Sequence, residues 1–74
     1  MHWVTLGGPS PMAPGWYATM ARWSPEEGYL LGAHWWAGAE WSSMGSERIA
    51  CYYSQAFVSA HAVFRWLARH GDGR

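Results

Sequence analysis

The density of tryptophan is the feature that most constrains the fold of this chain. Seven of the 74 residues are tryptophan, and five of them lie between Trp16 and Trp41. A domain of this size buries only about 60 % of the surface that its unfolded chain exposes. The interior is therefore too small to enclose every indole ring, and we expect some aromatic surface to face outward. Exposed aromatic surface usually marks a binding site, so the sequence favours binding over catalysis.

The remaining composition narrows the class of protein. Half of the residues are hydrophobic, which disfavours disorder over most of the chain. Charged residues make up 14 %, and five arginines balance five acids. A net charge of zero disfavours a general nucleic-acid-binding protein, whose affinity depends on neutralising several phosphates. It also favours self-association, so a homodimer is one of the arrangements that the composition allows.

Three features predict a cytoplasmic protein that does not contact a membrane. Cys51 is the single cysteine, so no disulfide can form within the chain. The first residues lack the basic region and the apolar run of a secretion signal. No segment approaches the roughly 20 apolar residues that are needed to cross a bilayer.

The N-terminal residues 1–14 predict an arm that packs along the domain or along a partner. Residues 1–6 could form a short strand. Three prolines between residues 9 and 14 favour extended backbone and remove hydrogen-bond donors from it. A poorly ordered terminus is the alternative. We place a single compact domain at residues 15–71 and a short tail at residues 72–74.

Strands and turns follow the arm. Residues 16–23 are rich in aromatic side chains and predict a strand, and residues 24–28 predict a turn. Residues 29–36 predict a second strand. A tight turn at Ala37-Gly38 should then return the chain antiparallel over residues 39–42.

The C-terminal third allows two interpretations. A helical stripe of apolar residues fits the whole of residues 46–70. Alternatively, a strand at residues 48–53 precedes a shorter helix with Ser59 as its N-cap and Gly71 as its C-cap. The buried face of that helix would consist of Ala60, Val63, Phe64 and Leu67. We favour the second interpretation because a small sheet needs a covering helix to be stable. The predicted fold is therefore α+β, a three- to four-stranded antiparallel β-meander packed against one C-terminal α-helix.

The alternation of side chains along a strand indicates the first candidate binding surface. If Ala33 and Trp35 face inward, His34 and Trp36 face outward, so at least two or three large rings remain on the outer face of the sheet. The candidate partner-binding residues on this side are Tyr17, Trp23, His34, Trp36 and Trp41. Cross-strand stacking that only stabilises the sheet is the alternative.

The outer face of the helix is the second candidate surface. His61, Arg65 and Arg69 follow one another at four-residue steps and predict one exposed stripe, which Trp66 flanks. The candidate partner-binding residues here are Arg65, Trp66 and Arg69. A solvated helix face, with cations placed near the helix C-terminus, is the alternative.

Catalysis and metal binding find little support. The four histidines and the single cysteine lack the close spacing of metal ligands. Cys51 occupies a strand position where a small buried residue is expected rather than a nucleophile. The sequence has no glycine loop for phosphate and no paired-carboxylate motif. We therefore expect a non-enzymatic protein without cofactor or metal.

Four short motifs carry a resemblance to known proteins. They are Gly15-Trp16-Tyr17, Pro25-Glu26-Glu27-Gly28, Trp35-Trp36-x-Gly38-x-x-Trp41, and Phe57-x-Ser59 followed by Trp66-Leu67. Through them, residues 15–70 resemble small uncharacterised proteins of bacteriophages and proteobacterial prophages. Such accessory proteins often inhibit host machinery, as anti-CRISPR proteins do. The resemblance therefore implies an inhibitor of a bacterial defence complex or nuclease.

The neutral charge bears on how such an inhibitor would act. Many of these inhibitors are strongly acidic mimics of nucleic acid, and this chain is not. The expected mechanism is therefore stoichiometric contact with a protein in the cytoplasm of the bacterial host. A nucleic-acid-binding accessory module that uses Arg65, Arg69 and aromatic residues is one alternative, and a self-associating structural protein is another.

Overall fold

Four strands and one helix make up the part of the chain that the computed structural model describes, which is residues 2–5, 8–22, 26, 28–42 and 48–70. The elements are β1 (Trp3–Thr5), β2 (Gly15–Arg22), β3 (Leu30–Trp36), β4 (Arg48–Tyr53) and α1 (Ala60–His70). The four strands form one antiparallel sheet. The predicted fold class, an α+β domain with an antiparallel sheet and one C-terminal helix, is confirmed.

The strand order in the sheet is β1-β4-β2-β3. Strand β4 lies between β1 and β2, so the order is not that of a sequential meander. Its bounds match the strand predicted at residues 48–53, and the single long helix over residues 46–70 is therefore wrong. The register of β4 against β2 shifts between Met20 and Ala21, which marks a β-bulge.

Residues 37–42 form a closed loop where a returning strand was predicted. The N–H of Ala37 donates to the carbonyl of Glu40 at 3.0 Å, and the N–H of Ser42 donates to the carbonyl of Trp35 at 2.8 Å. Gly38 has a φ of 104°, a conformation that glycine adopts without steric penalty. The chain does return antiparallel as predicted, but through one isolated bridge between Trp36 and Trp41 rather than through a paired strand.

The start of α1 matches the prediction. The Ser59 hydroxyl accepts a hydrogen bond from the N–H of Ala62 at 3.1 Å, which is the geometry of an N-cap. Val63 is fully buried, and Ala60 and Leu67 are half-buried. The proposed C-cap, Gly71, lies outside the described residues.

The predicted burial of Phe64 is wrong, because its side chain is 53 % exposed. Trp66 packs against Tyr53 instead, with ring centroids 4.6 Å apart. Phe64 and Trp66 are two positions apart, so their side chains are separated by about 160° around the helix. Phe64 and Trp66 therefore cannot both face the sheet, and the larger ring takes the inner position.

The two faces of the sheet have different covers. Helix α1 lies over β2 and β3 on one face. The other face carries a buried cluster of Tyr17, Trp36 and Tyr52, against which Val4 and Trp41 pack. The cover of this second face comes from the predicted arm.

Residues 9–13, which we call the proline strap, lie across this second face. The hydroxyl of Tyr17 donates to the carbonyl of Ala13 at 2.6 Å, and the hydroxyl of Tyr52 donates to the carbonyl of Pro9 at 2.8 Å. Pro11 is buried. The arm thus packs along its own domain, and β1 at its start pairs with β4.

Candidate binding groove beside the helix

Three of the five sheet-side candidates lie in the interior rather than on the surface. Tyr17 is 3 % exposed, Trp36 is 7 % exposed and His34 is 8 % exposed. The expectation that these side chains face outward is therefore corrected: they do point away from the helix, but other parts of the chain cover that face. Trp41 is half-buried and packs against the same cluster. Trp23 lies outside the described residues.

A short hydrogen bond lies within this buried face. The hydroxyl oxygen of Thr19 is 2.6 Å from Nδ1 of His34, and Thr19 is fully buried. The two side chains share the face with Tyr17 because Tyr17 pairs with His34 and Thr19 pairs with Gly32. A histidine held in this way serves the packing of the sheet.

The tryptophans are distributed between core and surface. Of the six described tryptophans, Trp36 is buried and the other five are half-buried. The exposed large apolar side chains of the described residues are Met12, Tyr29, Leu30, Val58 and Phe64. The indole rings of the described tryptophans therefore do not form an open aromatic face on the sheet.

The helix-side candidates, by contrast, come together in one concave surface. Arg65, Trp66 and Arg69 line a groove of about 270 Å³ together with Phe57 and Ala62. We call these five residues the helix-side groove. Both arginines are exposed, and Trp66 is half-buried between them and the sheet.

A row of aromatic rings adjoins this groove. The ring of Trp66 lies 4.6 Å from Tyr53 and 5.8 Å from Phe57, and Tyr53 in turn lies 5.5 Å from Trp3. Helix α1 covers β2 and β3, whereas β4 and β1 lie beyond its edge. The side chain of Trp66 therefore extends cover from the helix towards β4. The sequence interpretation missed Phe57, because its position depends on a bridge to Trp16. It also missed the neighbouring Tyr53 and Trp3, because their positions depend on strand order.

Backbone hydrogen bonds fix the wall of the groove. Phe57 exchanges two bonds with Trp16, at 3.3 and 2.7 Å, in an isolated antiparallel bridge. A side chain at Gly15 would meet the Cβ of Ala56 at 3.1 Å, so glycine permits this close approach. Phe57 is thus held against the sheet while the helix supplies the opposite wall.

The charge of the groove is not balanced within the described part of the chain. There, neither the Arg65 nor the Arg69 side chain forms a hydrogen bond or an ion pair with another described residue. The acids described there are Glu26 and Glu40. The groove therefore combines an apolar lining with two guanidinium groups that no described residue pairs.

A second cavity, of about 370 Å³, lies beneath the proline strap. Tyr17, Tyr52, Val4 and Met12 are among its lining residues. Burial raises the pKa of Tyr52, and repulsion from Tyr17 raises it further. Both tyrosine hydroxyl groups in its lining already donate to carbonyls of the strap.

Cys51 lacks the environment of a nucleophile. Burial raises the pKa of its thiol, and a hydrogen bond with the backbone of Met20 offsets part of that rise. The thiol is therefore protonated at neutral pH, whereas the thiolate is the nucleophilic form.

The described residues contain neither a metal-binding cluster nor a membrane-spanning helix. No group of three or more His, Cys, Asp or Glu side chains in those ranges is arranged to hold a metal ion. None of the described helical structure is long and apolar enough to cross a bilayer.

Comparison with protein-family models, with curated proteins and with solved structures gives no match. The fold and the groove define the class of protein: a small tryptophan-rich α+β domain with a cationic, aromatic groove beside its single described helix.

Proposed function

We propose that this protein is a non-enzymatic binding module that contacts a partner protein through the helix-side groove. The supporting observation is the convergence of Arg65, Trp66 and Arg69 on one apolar groove. Tryptophan and arginine are the residue types that most often dominate the binding energy of protein interfaces. Tyr17, His34 and Trp36 are buried, so a contact through them would require the parts of the chain that cover them to move.

A protein partner explains the groove better than a nucleic acid does. Base stacking needs an open ring face, and every described indole is at least half-buried. Phosphate-driven binding needs several cations, whereas the chain has a net charge of zero. Closure of the groove by a second copy of the chain is a separate arrangement, which sedimentation at micromolar concentration distinguishes.

A more specific role follows from the resemblance to phage and prophage proteins. In this role the module is a phage-encoded inhibitor that acts in the bacterial cytoplasm and blocks a CRISPR-Cas-type defence complex by stoichiometric contact. Its support is the set of short motifs between residues 15 and 70. The binding experiment on the groove tests contact with a partner protein whether or not the module has this inhibitor role.

A pair of matched helix variants tests the groove. Ala62 lines the groove, whereas Ala68 is exposed on the same helix outside it. Ala62→Met should fill the groove without changing charge or helix propensity greatly, and Ala68→Met makes the same change elsewhere. A partner captured from bacterial lysate by the wild-type chain would be purified and titrated calorimetrically against both variants.

We expect Ala62→Met to raise the dissociation constant at least about tenfold, which corresponds to a loss of about 1.4 kcal/mol of binding free energy. Ala68→Met should stay close to the wild-type value. Equal affinities of the two variants, with both folded by circular dichroism, would show that the partner does not use the groove.

A further inference from the structure

The partner surface that this groove fits can be specified further, on the basis of the proposed function. We infer that the helix-side groove receives an acidic segment of a partner protein, with carboxylates on Arg65 and Arg69 and an apolar side chain against Trp66 and Phe57. The occupant is thus an acidic, partly apolar peptide segment.

The charge of the groove supports this choice. Arg65 and Arg69 are exposed and form no ion pair with a described residue. Cations in the last turn of a helix stabilise its dipole, which accounts for Arg69 and His70. Arg65 lies in the middle of α1, where the dipole gives no such gain. Pairing with carboxylates of a ligand would account for Arg65 as well as for Arg69.

The spacing of the arginines also matches a peptide. Residues four apart on a helix are separated by about 6 Å along its axis. Acidic residues two apart on an extended segment are separated by about 6.6 Å, and their side chains point in the same direction. An extended segment with acids at alternate positions can therefore reach both guanidinium groups at once.

The surroundings of Trp66 favour a peptide side chain over a nucleobase. Its ring already has three aromatic neighbours, Tyr53 at 4.6 Å, His70 at 5.1 Å and Phe57 at 5.8 Å. A base would need a free ring face for stacking. An aliphatic side chain needs only the half-exposed apolar edge of the groove that Trp66 and Phe57 provide.

Defined peptides test this inference before any natural partner is identified. The probes are a hexapeptide that alternates glutamate and leucine, the same peptide with glutamine for glutamate, the same peptide with lysine for glutamate, and a single-stranded thymidine hexanucleotide. Each is titrated against the folded chain by nuclear magnetic resonance, which follows the indole N–H signals. Titrations at about 50 and 500 mM salt separate the charge contribution, since screening at high salt weakens exposed pairs.

We expect the glutamate peptide to bind about tenfold more tightly than the glutamine peptide at low salt, from two exposed pairs. High salt should reduce that advantage to about threefold or less. Arg65→Glu should weaken binding of the glutamate peptide about tenfold. Arg48→Glu, an exposed position on β4 with the same change in net charge, should leave it within about twofold. The double variant Arg65→Glu with Arg69→Glu should prefer the lysine peptide.

Other outcomes would overturn the inference in identifiable ways. Equal binding of the glutamate and glutamine peptides, or none by either, would show that charge does not select the occupant. Tighter binding of the oligonucleotide would assign the groove to nucleic acid. If a natural partner lost affinity with Ala62→Met but not with Arg65→Glu, the acidic occupant would be wrong and the proposed function would stand.

Discussion

The two tyrosine hydroxyl groups that hold the proline strap give the most direct test of the fold. Tyr17 and Tyr52 each donate to a strap carbonyl, at 2.6 and 2.8 Å, from rings that are 3 % exposed. The changes Tyr17→Phe and Tyr52→Phe remove these hydrogen bonds and keep the rings that form the core. The strap should therefore loosen while the sheet remains packed.

The size of the effect follows from the surroundings of the acceptors. A hydrogen bond contributes about 1 kcal/mol net, and more when a group is left buried without a partner. Pro9 and Ala13 are exposed residues, so water can reach their carbonyls after the change. We therefore expect each variant to lose about 1 kcal/mol of unfolding free energy. A domain of 74 residues has about 4–11 kcal/mol in total.

The double variant shows whether the two bonds act as one clasp. If loss of either hydroxyl releases the strap, the second loss costs less, and the double variant should lose about 1.5 rather than about 2 kcal/mol. Urea unfolding followed by tryptophan fluorescence measures these values. Limited proteolysis near Met12, which is fully exposed, reports opening of the strap directly.

Tyr29→Phe is the matched control for these variants. Tyr29 is 50 % exposed and lies under the guanidinium of Arg22 at 4.9 Å, a contact that its ring makes without the hydroxyl. Its change should alter stability by less than about 0.5 kcal/mol. If Tyr17→Phe and Tyr52→Phe behaved like this control, the hydroxyl groups would not be what holds the strap.

Three further predictions concern the buried face. Trp36→Ala should lose about 3–5 kcal/mol because the ring is 7 % exposed, and a near-wild-type urea midpoint would contradict its place in the core. Thr19→Val removes the hydroxyl 2.6 Å from Nδ1 of His34 and should lower the free energy of unfolding by about 1–3 kcal/mol, whereas Thr19→Ser should retain the bond; equal melting of the two would refute its importance. The pKa of Tyr52 is raised in the folded state, so folding favours the neutral phenol over the phenolate. The stability that depends on the neutral phenol is fully present below a pH of about 10, the pKa in the unfolded chain. It is lost as the pH rises through the folded-state pKa. Urea titrations at increasing alkaline pH should show this loss, and Tyr52→Phe should lessen it.

The elements that the sequence predicted well are those with strong local signals. Strand β4 has the predicted bounds, and the Ser59 cap marks the start of α1 as expected. Both depend on residues a few positions apart. The strand order does not, because the insertion of β4 between β1 and β2 is a long-range choice.

The candidate site divides in the same way. Arg65, Trp66 and Arg69 were predictable because helical spacing alone puts them on neighbouring positions. Phe57 and Tyr53 were missed because the bridge to Trp16 and the strand order bring them there. The burial of Tyr17 and Trp36 was also missed, since no local pattern shows that a strap will fold back and accept hydrogen bonds from tyrosines.

The groove itself follows from the width of one helix on a four-stranded sheet. A helix is about 10–12 Å across with its side chains, and strands are spaced about 4.8 Å apart, so one helix covers about two strands. Helix α1 covers β2 and β3, and the other two strands lie beyond its edge. Large rings cover part of the sheet that the helix leaves open, which explains why Trp66 reaches towards Tyr53. Trp66 therefore both extends the cover of the sheet and lines the groove. Substitution of the rings would confuse folding with binding, whereas Ala62 and Arg65 change the groove at positions where the fold depends less on the side chain.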